Sequence, residues 1–244
     1  MPEHLSQPSH PPDSRTPGRY ARLLRAGWRR TERLRARWTL LAALGALAVG
    51  AFLELTSELS EGELDAFDRA VLKFVIEMRV PRLNGAAVDL TALGSFTVLA
   101  LLVAIAILFL ALVRDARAIA QLLVVAIAGG VVSTWLKRVV ERERPDELTR
   151  LVEVSSYSYP SGHSFSAASI YLTLAILASA RMPTPLGRAL PIALALLLAA
   201  AVGASRAYLG VHYPSDIAAG LLLGTGWALL VSALFSYAKL RRSA

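Results

Sequence analysis

Six long apolar runs, at residues 38–55, 96–113, 118–136, 165–180, 190–203 and 217–235, constrain this 244-residue chain more than any other feature. A soluble bundle can hide one segment that is apolar all round, but six would leave it almost no polar face. Several runs fall short of the ~20 residues that cross a bilayer, so flanking residues must complete them. The expectation is an all-α, polytopic membrane protein with six transmembrane helices.

Charge sets the expected orientation. With six spans, the arginine- and lysine-rich stretches at 1–37, 114–117, 181–188 and 239–242 fall on one side, and most acids, at 58–89 and 141–153, fall on the other. Basic loops stay in the cytoplasm, so both termini are expected there, in a bacterial cell membrane. Insertion thus accounts for much of the net charge of +8, which gives no reason to expect a nucleic acid partner. Cysteine is absent, which excludes disulfides and thiolate chemistry.

Residues 1–37 are rich in proline and arginine and carry no apolar stretch before a small-residue cleavage site, so they are not a signal peptide. They read as a disordered segment, 1–18, and a basic helix, 19–37. That helix suits an anionic cytoplasmic leaflet, or serves only as a topogenic charge cluster. Residues 38–93 hold the first span and an outer connector, 94–236 the core, and 237–244 a basic cytoplasmic tail. In the connector, Leu64, Phe67, Val71, Phe74, Val75 and Met78 recur at helical spacing among charges. This predicts an amphipathic helix over 61–82, either a wall beside a site or a link shielding its apolar face. Gly94 and Ser95 mark the start of the second span. Arg114-Asp115-Ala116-Arg117 and Met182-Pro183-Thr184-Pro185 predict tight inner turns, and Gly129, Gly130, Gly220, Gly224 and Gly226 offer flat faces for helix packing.

Three polar clusters stand at span ends expected on the outer side. Lys137 and Arg144 are seven apart, two helical turns, so both can project from one face before Pro145 ends the helix and clamp one dianion. Arg138 and Arg142 beside them read as ordinary interfacial basics. Pro160-Ser161-Gly162-His163 precedes the fourth run, where first-turn N–H groups are unpaired and a Ser-Gly pair lets an anion approach; His163 could equally be a capping histidine. His212 and Asp216 are four apart, so the carboxylate can hold one imidazole nitrogen and leave the other free. Arg206 can join the same pocket. Fixed cations, two imidazoles, a carboxylate and a glycine turn are what holding and cleaving a phosphate monoester requires. The two histidines and Asp216 could instead ligate zinc, but the cations would compete with the metal and no compact ligand spacing appears. Ser161 as a triad nucleophile lacks the Gly-x-Ser-x-Gly turn.

Taken in order, Lys137-(six residues)-Arg144-Pro145, Pro160-Ser161-Gly162-His163 and Ser205-Arg206-(five residues)-His212-(three residues)-Asp216 resemble the three-part signature of the type 2 phosphatidic acid phosphatase superfamily, over about residues 94–235. The resemblance implies that Lys137, Arg144 and Arg206 hold the phosphate and that Ser161 and Gly162 form its turn. It implies His163 as leaving-group acid, His212 as nucleophile and Asp216 as orienter, with no metal or other cofactor. The expected partners are the bilayer and a phosphorylated lipid; an isoprenyl pyrophosphate, phosphatidic acid and phosphatidylglycerol phosphate all fit. A lipid-linked phosphotransferase would use the same phosphohistidine. A non-enzymatic transporter would also have six spans, but would place ionisable groups near mid-membrane and need neither outward histidine.

Overall fold

A computed structural model describes residues 19–241, with no account of the side chains of 19–31, 33 and 147. The expected disordered segment, 1–18, lies outside the described residues. From there the chain runs as α1 (Arg19–Ser60), α2 (Asp65–Glu77), α3 (Asn84–Ala92), α4 (Phe96–Leu112), α5 (Ala116–Leu123), α6 (Gly129–Val140), α7 (Gly162–Ser179), α8 (Pro185–Tyr208) and α9 (Pro214–Arg241), and the described residues contain no strand. The basic stretch after residue 18 is continuous with the first span, because nothing in α1 breaks the helix.

Among the described residues, five segments are long and apolar enough to cross a bilayer: Leu34–Ser60, Ala116–Val140, Gly162–Ser179, Pro185–Tyr208 and Pro214–Arg241. A sixth is bent by 44° between Pro81–Ala92 and Phe96–Leu112. At that bend Ser95 caps α4 by accepting from the Val98 N–H, at 3.4 Å. The third span absorbs a π turn at Val124–Ala128, and Trp227 Nε1 donates to the Val125 carbonyl there at 3.2 Å. Between the third and fourth spans lies a long irregular loop with a 3₁₀ turn at Glu147–Thr149.

Side-chain caps set the other boundaries. Asp115 accepts from the Ala118 N–H at 3.1 Å to start α5, and Thr184 with Pro185 starts α8. The connector helix is shorter than the periodicity predicts. Its buried side carries Asp68 and Leu72, while Phe67, Phe74 and Met78 are exposed. The apolar stripe therefore faces outward, where a membrane interface would cover it, and the polar residue faces in.

α7 is the most enclosed of the five straight spans and packs chiefly between α8 and α9, with α1 running along α9. Phe52 of α1 meets Tyr159, Phe165, Ala219 and Leu223 in one core cluster; Leu99, Val103 and Leu110 of α4 meet Leu122 and Ile170 in another. Leu101, Ile105 and Leu108 of α4 and Leu190, Leu194 and Leu197 of α8 are exposed at helical spacing, an outer surface suited to acyl chains and not to water.

Glycines set the closest approach of α9 to α7. A Cβ on Gly220 would lie 2.5 Å from the Ser161 carbonyl oxygen, and one on Gly224 2.4 Å from that of Phe165. Gly130, in contrast, has open space and makes no such contact. Antiparallel packing then brings the C-terminal ends of α6 and α8 and the N-terminal ends of α7 and α9 to one end of the bundle. The opposite end carries the Asp115–Arg181 ion pair and the edge-to-face contact of Trp38 with Tyr237.

Candidate active site

The chain between α8 and α9 carries His212, which is almost fully buried, and α9 opens at Pro214, whose fixed φ suits the first helical position. Asp216, one turn into the path of the chain, places Oδ2 3.3 Å from Nδ1 of His212. The same oxygen accepts from the Tyr213 N–H at 2.9 Å and from the Ser158 hydroxyl. Its other oxygen, Oδ1, accepts from Arg142 Nη1 at 2.6 Å. One carboxylate oxygen thus serves the imidazole and the other serves a guanidinium.

On its far side, His212 Nε2 lies 3.1 Å from Nη1 of Arg144. That guanidinium also donates to the carbonyls of Val211, at 2.6 Å, and Ser156, at 2.5 Å. Arg144 arrives from a loop and not from the face of a helix. α6 stops at Val140 because Glu141 turns left-handed (φ 48°), and Arg142 is drawn across to Asp216 and Asp68. The shared helical face expected for Lys137 and Arg144 therefore does not exist, although both still reach the same pocket. Burial foremost holds His212 well below its ordinary value, to about 3, with the Arg144 and Arg206 charges adding to this against the pull of Asp216. The imidazole is accordingly neutral. With Asp216 on Nδ1, the proton belongs there and the Nε2 lone pair points toward the cations.

α7 starts beside this pair. Ser161 is fully buried and caps the helix, its Oγ accepting from the Ser164 N–H at 3.5 Å and bonded to Ser164 Oγ at 3.0 Å. Its own N–H donates to the Asp216 main-chain carbonyl at 2.9 Å. The N–H groups of Gly162 and His163 find no acceptor among the described residues, so two donors stay open at the helix end. A Cβ on Gly162 would face Lys137 Cε at 3.7 Å, which places the glycine beside the end of that side chain. Lys137 Nζ donates to the Tyr157 carbonyl at 2.6 Å. Arg206 is buried; its Nη1 donates to Thr91 Oγ1 at 3.1 Å while its Nε has no partner among the described residues. His163 makes no side-chain hydrogen bond among the described residues, and the charges of Arg206, Arg144 and Lys137 all act on it.

These are the three motifs brought together at one end of one helix bundle. A model of the PAP2 superfamily matches residues 118–240, which include every motif residue. The chain belongs to the PAP2 superfamily. Phosphatidylglycerophosphatase B of Bacillus subtilis (strain 168) is 32% identical over 174 residues, 71% of this chain and 85% of that protein. An undecaprenyl-diphosphatase of Sulfolobus acidocaldarius is 32% identical over 171 residues, 68% of this chain and 77% of that one. The crystal structure of a transmembrane PAP2-type phosphatidylglycerolphosphate phosphatase from Bacillus subtilis superimposes with a TM-score of 0.73 at 31% identity, covering 78% of this chain and 94% of that one. This PAP2 member is therefore an enzyme of the membrane lipid phosphatase class.

In this PAP2 member all eight predicted residues lie at the same end of the bundle, and four partners that the sequence reading missed join them. Ser158 touches both His212 and Asp216; Arg142, read as an ordinary interfacial basic, bonds Asp216, Ser215 and Asp68. Its guanidinium also stands over the Tyr213 ring, 4.4 Å from the centroid. Asp68 comes from the connector, and Thr91 from the bend before α4. Among the described residues no group of three His, Cys, Asp or Glu side chains is placed to hold a metal ion.

Proposed function

We propose that the chain hydrolyses a phosphate monoester or pyrophosphate at the head of a membrane lipid, on the outer face of the membrane, through a phosphohistidine on His212 and without a metal ion. The observation that carries this reading is the division of labour around His212: Asp216 at 3.3 Å from Nδ1, and the Arg144 guanidinium at 3.1 Å from Nε2. A neutral imidazole so held offers a lone pair where an anion would be drawn.

Nε2 attacks phosphorus in line, forming the N–P bond as the P–O bond to the lipid breaks, and His163 gives its proton to the departing oxygen. His163 then takes a proton from water, whose oxygen attacks phosphorus, releasing phosphate and restoring Nε2. Lys137, Arg144, Arg206 and the open N–H groups of Gly162 and His163 stabilise the equatorial oxygens, which is the work a metal clamp does elsewhere. The substrate is amphiphilic, because the site lies where spans meet the interface and the product can leave sideways into the leaflet. The names of the Bacillus and Sulfolobus relatives, a phosphatidylglycerophosphatase and an undecaprenyl-diphosphatase, support a lipid carrying a terminal phosphate. The outward side rests on the bias of basic residues toward the opposite end.

The test is phosphate release from phosphatidylglycerol phosphate, phosphatidic acid and an isoprenyl pyrophosphate by purified protein, with and without chelator, and with vanadate as a mimic of five-coordinate phosphorus. Metal-independent release, inhibited by vanadate, is the expected result. Stoichiometric zinc lost together with activity, and restored with it, would overturn the metal-free route.

A further inference from the structure

We infer that Asp68 and Arg142 are positioning residues for the His212–Asp216 pair, so that the outer helix α2 is a working part of the active site and not a connector. This rests on the reading of His212 as nucleophile.

Arg142 lies between two buried carboxylates. Its Nη1 donates to Asp216 Oδ1 at 2.6 Å, and its Nη2 donates to Asp68 Oδ2 at 2.7 Å. Asp68 has no exposed surface and also takes both donors of Ser215: the N–H at 2.9 Å on Oδ1 and the hydroxyl at 2.5 Å on Oδ2. Arg142 closes the square by donating to Ser215 Oγ at 2.7 Å. A carboxylate on α2 therefore satisfies the first turn of α9, the turn that holds Asp216 against His212.

The charges give this square a function beyond packing. His212 gains positive charge when it attacks phosphorus, and Asp216 can stabilise that charge only with the negative charge left to it. Were Arg142 alone beside Asp216, the guanidinium would draw on that negative charge. With Asp68 on its other edge, Arg142 is already neutralised. It fixes Oδ1 in place while Oδ2 keeps its charge toward the imidazole. The pair thus acts through Asp216 on the nucleophile and touches no substrate.

Asp65, one turn earlier on α2, is the natural control. It approaches the same Nη2 only to 3.9 Å and is half exposed, so solvent screens it.

The experiment compares turnover of one lipid phosphate that the wild-type enzyme cleaves, together with the rate of phosphohistidine formation. Asp68→Asn, nearly isosteric, should lower kcat by about 10- to 100-fold with little change in KM, because the loss lies in the transition state and not in binding. Asp65→Asn should stay within about 2-fold of wild type. The double variant Asp68→Asn/Arg142→Gln should be little slower than Arg142→Gln alone, since the two act as one unit. Full kcat in Asp68→Asn, a loss confined to KM, or losses that multiply in the double variant would overturn the inference. If Asp68→Asn fails to fold, guanidinium rescue of Arg142→Gly in native membranes replaces it. Recovery with guanidinium chloride and not with equal sodium chloride supports the role; no recovery in folded protein refutes it. A wild-type enzyme that turns over substrate without label on His212 removes the underlying reading, whereas normal labelling of both wild type and Asp68→Asn removes only this inference.

Discussion

Nη1 of Arg144 stands 3.1 Å from Nε2 of His212, so the nitrogen that Asp216 leaves free already faces a cation. His163, by contrast, bonds to no side chain among the described residues and stands among the same cations at the first turn of α7. The two imidazoles occupy different environments, and different chemistry follows from each.

Replacing His212 by Ala should abolish protein labelling from phosphorus-labelled substrate, because His163, the other imidazole of the site, has among the described residues no carboxylate on its ring to ready it as a nucleophile. Replacing His163 by Ala should slow release of a lipid alkoxide by about 10²- to 10⁴-fold, as expected on losing a general acid. An aryl phosphate, whose leaving group needs no proton, should recover much of that loss in His163→Ala and none in His212→Ala. Initial rates on both substrates, with quench labelling, decide it; equal recovery in the two variants would leave the histidines without separate roles.

The buried neutral state of His212 predicts an acid-dependent loss of stability. Its folded value of about 3 lies below the ordinary 6.5, so the unfolded chain binds more protons in that window. The contribution is complete above the ordinary value and is lost as pH falls toward the folded one. Thermal melts in detergent should therefore show wild type losing more stability than His212→Gln between about pH 7 and pH 4. Parallel curves for the two proteins would show that the imidazole is not held neutral.

Gly220→Ala should damage both stability and rate. The new methyl would stand 2.5 Å from the Ser161 carbonyl oxygen and 2.9 Å from Ser164 Cβ, and backbone cannot yield as a flexible side chain would. Overpacking of this kind costs about 1–3 kcal/mol. It also spreads α9 from the Ser161 turn, where the Ser161 N–H meets the Asp216 carbonyl at 2.9 Å. Gly50→Ala, with nothing within 4 Å, should leave the melting temperature and kcat unharmed.

Membrane orientation is open to a direct chemical test because the chain has no cysteine of its own. Leu148 is 93% exposed in the loop at the catalytic end, and Met182 is exposed at the other end. An impermeant thiol reagent should label Leu148→Cys in intact cells and Met182→Cys only after permeabilisation. The reverse pattern would place the site in the cytoplasm.

Spans and motifs were readable from sequence for a local reason. Apolar runs report their own environment, and Pro160 to His163 or His212 to Asp216 are spacings within a few residues. Asp68 was not readable, because its partners Arg142 and Ser215 lie 74 and 147 residues away and helical periodicity identifies a face without naming its neighbour. The periodicity of α2 marked its apolar stripe, whose phenylalanines face out, but gave no sign that Asp68 on the opposite side faces in. Arg142 stood among four arginines and lysines at the end of a span, where ordinary flanking basics look the same. Arg144 reached the pocket by a route that two turns of continued helix would not have given, since the left-handed Glu141 ended the helix first.

The first and last helices are laid against each other: a Cβ on Gly226 would press on Val49 at 2.7 Å, one on Gly45 on Leu230 at 2.9 Å, and Trp38 meets Tyr237 edge to face at 5.3 Å between ring centroids. The ribosome delivers α1 and α2 before α9, so Asp68 is made before Ser215 exists to meet it. On the proposed mechanism, catalysis therefore has to await the seating of α9 beside α1.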